Sequence, residues 1–161
     1  MRVETTTART YSRRAATAAD DAFLCELYAS TRTDLDAVDW PGETRAAFCE
    51  MQWRAQRAGY AASYPGALDD VIDVDGRPAG RVLIGARAGD LVLVDLALVP
   101  DVQGLGVGRQ VIEDLQREAA GTGRGVSLQV AAGNRARALY ERLGFVASEQ
   151  HGVHTEMTWH P

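Results

Sequence analysis

The chain is 161 residues long, 46% hydrophobic and 24% charged; that length suits one domain over residues 1–161 with a single core, and the composition excludes collagenous, low-complexity and disordered chains. Seventeen basic against 22 acidic side chains leave a net charge of −5, so neither a nucleic-acid partner nor an anionic membrane surface is expected. Every basic residue is arginine, and without lysine both Schiff-base chemistry and a Walker-type phosphate loop are excluded.

In chain order, residues 1–9 read as a flexible tail. Met1–Ala16 carries no apolar signal core, and no apolar run nears the roughly 20 residues that a membrane span needs; a cytoplasmic protein is expected. Thr10–Ala15 reads as a first strand. Asp20 precedes a helical stripe of Phe23, Leu24, Leu27 and Tyr28, which the acid-rich Asp34–Asp39 stretch ends. A second helix is predicted from Glu43 to Gly59, with Phe48, Met51 and Gln52 at helical spacing and Gly59 as its C-terminal cap; Tyr60–Pro65 then reads as a loop. Cys25 and Cys49 are too few for a disulfide framework and lack metal-ligand spacing. They read as small buried side chains on these helices, in a reducing compartment.

Val71–Val74 and Ala79–Gly85 flank Asp75-Gly76-Arg77-Pro78, a hairpin signal because Asp-Gly tolerates the positive φ that a tight turn demands. Leu91–Val99 is nearly continuous apolar sequence, as expected of a central strand buried on both faces. Over Gly106–Ala120 the residues Val107, Val111, Leu115 and Ala119 form an i, i+4 stripe, with Ile112 beside it and a Glu113–Arg117 pair outside. Glycines 121, 123 and 125 stop that helix, and Val126, Leu128 and Val130 alternate as a strand. Asn134 is placed to cap a helix carrying Ala136, Leu139, Tyr140 and Leu143 and ending at Gly144. Phe145–Glu149 and Val153–Trp159 close the chain as two strands around Gly152. The sum is a mixed α/β fold: one strand, two helices, three strands, then helix, strand, helix and two strands.

The sharpest feature is Val99-Pro100-Asp101-Val102-Gln103-Gly104-Leu105-Gly106-Val107-Gly108-Arg109, between a buried strand and a strong helix. Glycines at 104, 106 and 108 let backbone N–H groups turn inward without a Cβ in the way. The helix N-terminus adds roughly half a positive charge where a phosphate would sit. A dinucleotide fingerprint fails on spacing, because the sixth residue counted from Gly104 is Arg109. A plain strand-to-helix turn and a pyrophosphate cradle of another type both remain.

The pattern Gln103-x-x-Gly106-x-Gly108, following a strand that ends Leu98-Val99-Pro100, is similar to the coenzyme A signature of the GNAT superfamily of N-acetyltransferases. Downstream, Asn134-Arg135-Ala136-Arg137-Ala138-Leu139-Tyr140-Glu141-Arg142-Leu143-Gly144-Phe145 resembles the family's second signature, in the right order and separation. The likeness covers Leu91 to Phe145, and the first half of the chain matches only in element order. It implies a GNAT-type mixed, mostly antiparallel sheet of about seven strands flanked by about four helices. The fourth and fifth strands, here Leu91–Val99 and Val126–Ala131, would splay into a cofactor slot. Acetyl-CoA is the implied cosubstrate. Gln103 opens the motif, and the backbone amides of Gly104, Leu105, Gly106, Val107, Gly108 and Arg109 would bind its pyrophosphate. Amides near Leu96 and Leu98 would hold the pantetheine arm and polarise the thioester carbonyl.

The resemblance assigns Tyr140 the role of general acid, while the residues alone also read it as helix-stripe packing with Ala136, Leu139 and Leu143. Asn134 is implied to lie near the pantetheine arm. It stands six residues before Tyr140, one short of the family's commonest spacing, a rotation of roughly 100° about the helix, so capping is an equal reading. Asp95 is an acid inside an apolar strand, a costly place unless paired or used. It reads either as a base for an amine or as a hydrogen-bond anchor. His151 and His154 with Glu149 and Glu156 read as a solvated or acceptor-facing surface, or a histidine base, in preference to a metal site. Trp40, Phe48, Trp53, Tyr60 and Tyr64 concentrate where the family forms its acceptor wall. The function implied is acetyl transfer from acetyl-CoA directly to a primary amine, small molecule or peptide. Polyamine, amino acid, aminoglycoside, peptide N-terminus and lysine side chain all stay open, and a homodimer is admitted. The rival from another class is a non-catalytic acyl-CoA-binding or sensor domain, and a third reading is an oligomeric scaffold.

Overall fold

A computed structural model describes residues 9–161; the tail expected over residues 1–9 falls, but for Arg9, outside the described residues. The elements are β1 (Tyr11–Ala15), α1 (Asp21–Thr31), α2 (Thr44–Ser63), β2 (Leu68–Val74), β3 (Arg77–Arg87), β4 (Asp90–Leu98), α3 (Val107–Gly121), β5 (Val126–Ala131), α4 (Ala136–Arg142), β6 (Val146–His151) and β7 (His154–Trp159). The seven strands form one sheet in the order β1-β2-β3-β4-β5-β7-β6. Every neighbouring pair is antiparallel except β4 and β5. No helix among the described residues is long and apolar enough to cross a membrane.

The α3 stripe is the main core. Val107, Val111, Ile112, Leu115 and Ala119 are all fully buried against Ile72, Val82, Ile84, Leu91 and Leu93 of the sheet. Outside, the ion pairs on α3 run Arg109 to Glu113 and Arg117 to Asp114, replacing the expected Glu113–Arg117 pair. A smaller cluster of Leu24, Trp53 and Val71 seats α1 and α2 on the other face. A capping box of Thr17 and Asp20 precedes α1. Arg14 grips the Asp20 carboxylate through two hydrogen bonds of 2.9 and 2.8 Å, holding Asp20 well below the usual carboxylate range.

Two expectations about α2 fail. The helix runs through Gly59 to Ser63, so Tyr60–Ser63 is helical and Gly59 is not a cap. Tyr64, just beyond, packs its ring 2.6 Å from where a Cβ on Gly85 would stand, and such tertiary contact outweighs the roughly 1 kcal/mol that a mid-helix glycine costs. The buried face is carried by Cys49 and Trp53, while Met51 is 55% exposed. Of the cysteines, Cys49 is buried and Cys25 only half-buried.

The centre of the sheet sets up the site. Ile84 faces Leu93 and Leu83 faces Asp95, leaving Val94 as an extra residue in β4; this β-bulge reverses the alternation of the strand. Leu91 and Leu93 before it, and Leu96 and Leu98 after it, all pack on the α3 side. Asp95 turns to the α1–α2 side. The parallel ladder to β5 covers only Leu91–Leu93 with Val126–Leu128. Beyond it the strands part, as the splay implied. That also corrects the expectation of a strand buried on both faces: Val94–Leu98 is half-buried.

Candidate active site

A cavity of about 900 Å³ lies along the half of β4 that β5 no longer pairs with. Its lining comes from both faces of the sheet: Leu24, Leu27 and Tyr28 of α1 and Trp53 and Gln56 of α2 on one, the Gln103–Arg109 segment, Ile112 and Tyr140 on the other, with Asp95–Leu98 between them.

The loop before α3 is an array of N–H donors. Gly104 and Gly106 have φ of +76° and +84°, and a Cβ on either would meet nothing within 4 Å; glycine is needed there for the left-handed backbone. Gly106 is the residue preceding α3, and the Gln110 amide donates to its carbonyl at 3.1 Å. The amides of Val107, Gly108 and Arg109 in the first turn have no backbone partner among the described residues, the usual state of a helix N-terminus and a favourable one for an anion. The Gln103 and Leu105 amides are instead used within the loop, donating to the Pro100 and Val102 carbonyls at 3.2 and 3.4 Å. The side chains of Leu105 and Val107 pack in the core, so Val107 offers a ligand its amide alone and Leu105 offers neither amide nor side chain.

Gly108 differs from the other two. It is helical, and a Cβ there would make an ordinary 3.6 Å contact with Leu98. Nothing among the described residues demands glycine there, and alanine would be the better helix former. The residue lines the cavity, so its missing side chain leaves room for a ligand to approach the backbone.

The edge of β4 continues this array. The Val99 amide donates to the Ala79 carbonyl of β3 at 2.8 Å; by strand alternation the amides of Leu96 and Leu98 point the opposite way, into the gap where pairing with β5 has ended. The Leu98 carbonyl on that side accepts a 2.8 Å hydrogen bond from the Gln103 side chain. Gln103 thus ties the loop to the strand.

Tyr140 lines the cavity from α4. Its ring packs edge-on against Phe145, centroids 5.9 Å apart, and its hydroxyl has no hydrogen-bond partner among the described residues. Gln116 of α3 donates to the Leu143 carbonyl at 2.8 Å, anchoring the end of α4. Burial, and then the nearby Asp95 charge, push the Tyr140 pKa up, so the hydroxyl keeps its proton at neutral pH. Asn134 also lines the cavity, and its side-chain oxygen accepts from the Ala136 amide at 2.9 Å, the helix-capping role.

Asp95 is the one carboxylate lining the cavity among the described residues. It faces Arg81, whose side chain is 6% exposed and whose Nη1 lies 3.4 Å away. The guanidinium is held on its other side by Asp69, through bonds of 2.7 Å from Nε and 2.9 Å from Nη2. Desolvation raises the Asp95 pKa, with Arg81 and the Leu96 amide opposing it. Tyr60 stands by the same cluster, its pKa raised to about 12 chiefly by burial, then by Asp95.

Of the sequence-predicted residues, ten line the one cavity: Asp95, Leu96, Leu98, Gln103, Gly104, Gly106, Gly108, Arg109, Asn134 and Tyr140. The aromatic wall is mostly elsewhere. Trp53 alone of the five lines this cavity; Trp40 and Phe48 stack on each other at 5.2 Å, and Tyr60 and Tyr64 line a separate cleft. Glu149, His151 and Glu156 bring their ligand atoms within 4.8 Å of one another, and neither they nor His154 line the cavity. Arg81 was missed, although a charged residue in the apolar Ala79–Gly85 strand was its signal. Leu24, Leu27, Tyr28 and Thr31 have i, i+3, i+4, i+7 spacing, which reads as core packing from the sequence.

The sequence matches the acetyltransferase (GNAT) domain family over residues 49–161. No curated protein matches it significantly. Among solved structures, the PaiA N-acetyltransferase of Thermoplasma acidophilum, crystallised with coenzyme A, superposes with a TM-score of 0.72 at 16% identity, covering 94% of this chain and 99% of that one. An acetyltransferase of Thermus thermophilus gives 0.68 at 22% identity over 94% and 97%. The ribosomal-protein-S18-alanine N-acetyltransferase of Escherichia coli gives 0.59 at 21% identity over 92% and 91%. These identities speak for the fold, and the family match speaks for descent: the chain belongs to the GNAT acetyltransferases and is an acyltransferase.

Proposed function

We propose that the protein is an acetyl-CoA-dependent N-acetyltransferase that moves the acetyl group directly to a primary amine, within a ternary complex. One observation carries this reading: the unpaired amides of the α3 N-terminus and the open β4 edge converge on the cavity that Tyr140 and Asp95 also line. The residues fit acetyl-CoA, which supplies the activated acetyl group. The amides of Gly104 and Gly106–Arg109 hold the pyrophosphate. The Leu98 and Leu96 amides face the thioester end, where one well-placed donor contributes about 3 kcal/mol once water is excluded.

Asp95 accepts the proton that the amine must lose to become a nucleophile. Tyr140 serves the leaving sulfur. A free tyrosine near 10 protonating a thiolate near 8.5 is uphill by about 1.5 units, and burial raises the Tyr140 pKa further. Its part is therefore a hydrogen bond to the sulfur rather than early proton transfer. Neither Cys25 nor Cys49 lines the cavity, which agrees with transfer that has no acyl-cysteine stage.

The test is initial-rate kinetics of thiol release with acetyl-CoA and a primary amine. Intersecting double-reciprocal lines are expected, and parallel lines would replace the ternary complex with a covalent route. A thermal melt with CoA at a hundredfold excess over its Kd should show a stabilisation of about 2.7 kcal/mol. No CoA-dependent shift would sink the reading.

A further inference from the structure

The charges lining the cavity are sorted by end. Arg109 belongs to α3, Arg135 precedes α4 and Arg142 ends it, while the α1–α2 end carries Asp95 and Arg81. That second set is closed on itself, because Asp69 takes two of the Arg81 donors and Asp95 stands at the third nitrogen. One guanidinium between two carboxylates leaves the cluster one negative charge. Around it the wall is largely apolar and uncharged, with Leu24, Leu27 and Trp53 buried and the neutral side chains of Tyr28, Thr31 and Gln56 beside them.

From this we infer that the acceptor is a primary monoamine on an apolar, carboxylate-free body, an assignment that rests on the amine-acetyltransferase reading above. An ammonium approaching Asp95 meets its opposite charge, and the carbon skeleton behind it meets leucine and tryptophan. A polyamine brings further ammonium groups, and Asp95 is the one carboxylate the lining offers among the described residues; the others would lie against an uncharged, largely apolar wall at a desolvation cost. An α-amino acid brings a carboxylate beside its nitrogen. At the α1–α2 end it finds no free guanidinium fork, because Arg81 already directs its bidentate face at Asp69, and the other arginines of the lining belong to the α3–α4 end. The net negative cluster repels it as well.

The experiment compares phenethylamine, phenylalanine and spermidine as acceptors by thiol release at saturating acetyl-CoA. The kcat/KM for phenethylamine is expected to exceed each of the others at least tenfold. Asp69→Asn, outside the cavity lining, releases the Arg81 fork and neutralises the cluster; the phenethylamine-to-phenylalanine ratio should then fall at least threefold, with the CoA melting shift unchanged. Gln56→Glu adds a carboxylate to the wall and should raise spermidine relative to phenethylamine, and it carries the test should Asp69→Asn not fold. Preference for phenylalanine or spermidine overturns the assignment, as do ratios that neither variant moves. Thiol release with none of the three also overturns it. In that case a persisting CoA melting shift locates the failure in the acceptor, and a missing shift locates it in the parent reading.

Discussion

The two ends of the cavity are built in different currencies. Toward α3 and α4 the chain presents main-chain donors: the loop amides, the first turn of α3 and the Leu96 and Leu98 edge of β4. Toward α1 and α2 it presents side chains, with the Asp69–Arg81–Asp95 cluster set among leucines and Trp53. A main-chain site tolerates wide variation in the residues around it provided that φ values and strand pairing survive. A side-chain site changes its preference with each substitution. One end of the fold is thus suited to a constant cosubstrate and the other to a variable acceptor.

The largest expected effect ignores that division. Leu115 is fully buried beneath the sheet, and Leu115→Ala should cost about 2–5 kcal/mol in denaturant unfolding, without changing the KM of one substrate relative to the other in the surviving enzyme. Tyr140→Phe should lower kcat roughly 100-fold and leave the CoA melting shift intact; equal losses in both would reduce Tyr140 to packing. Asp95→Asn should cost roughly tenfold, below the usual range for a proton acceptor because solvent also takes up the proton. Its signature is in the pH profile. Only the carboxylate form accepts a proton, and burial holds Asp95 above the usual value near 3.9. Activity should therefore rise with pH through that raised pKa, and Asp95→Asn should erase this acid limb.

The smallest effect is the most pointed. Gly108→Ala should stabilise the free protein by about 0.5–1 kcal/mol while weakening CoA binding in a titration. A variant that gains stability and keeps full affinity would remove the argument that the glycine serves a ligand.

The same division explains what was legible in the sequence. The glycine pattern from Gly104 to Gly108 and the α3 stripe are local, set by backbone freedom and helical period, so they can be read along the chain. The cluster of Asp69, Arg81 and Asp95 joins three strands, and its pairing depends on strand register, which sequence periodicity does not carry. The Val94 bulge is equally silent in an apolar run. Without it Asp95 would share a face with Leu91 and Leu93. The aromatics of α2 misled because composition says where rings are dense and not which way they point: the helix passes Gly59 and carries Tyr60 to the separate cleft.

The three-residue ladder between β4 and β5 has a dynamic corollary. Protection of the Leu96 and Leu98 amides against hydrogen exchange comes from no neighbouring strand among the described residues, so it becomes a property of the complex. A molecule lying along that edge acts as a detachable eighth strand, and how firmly the middle of the sheet is knit then depends on what is bound.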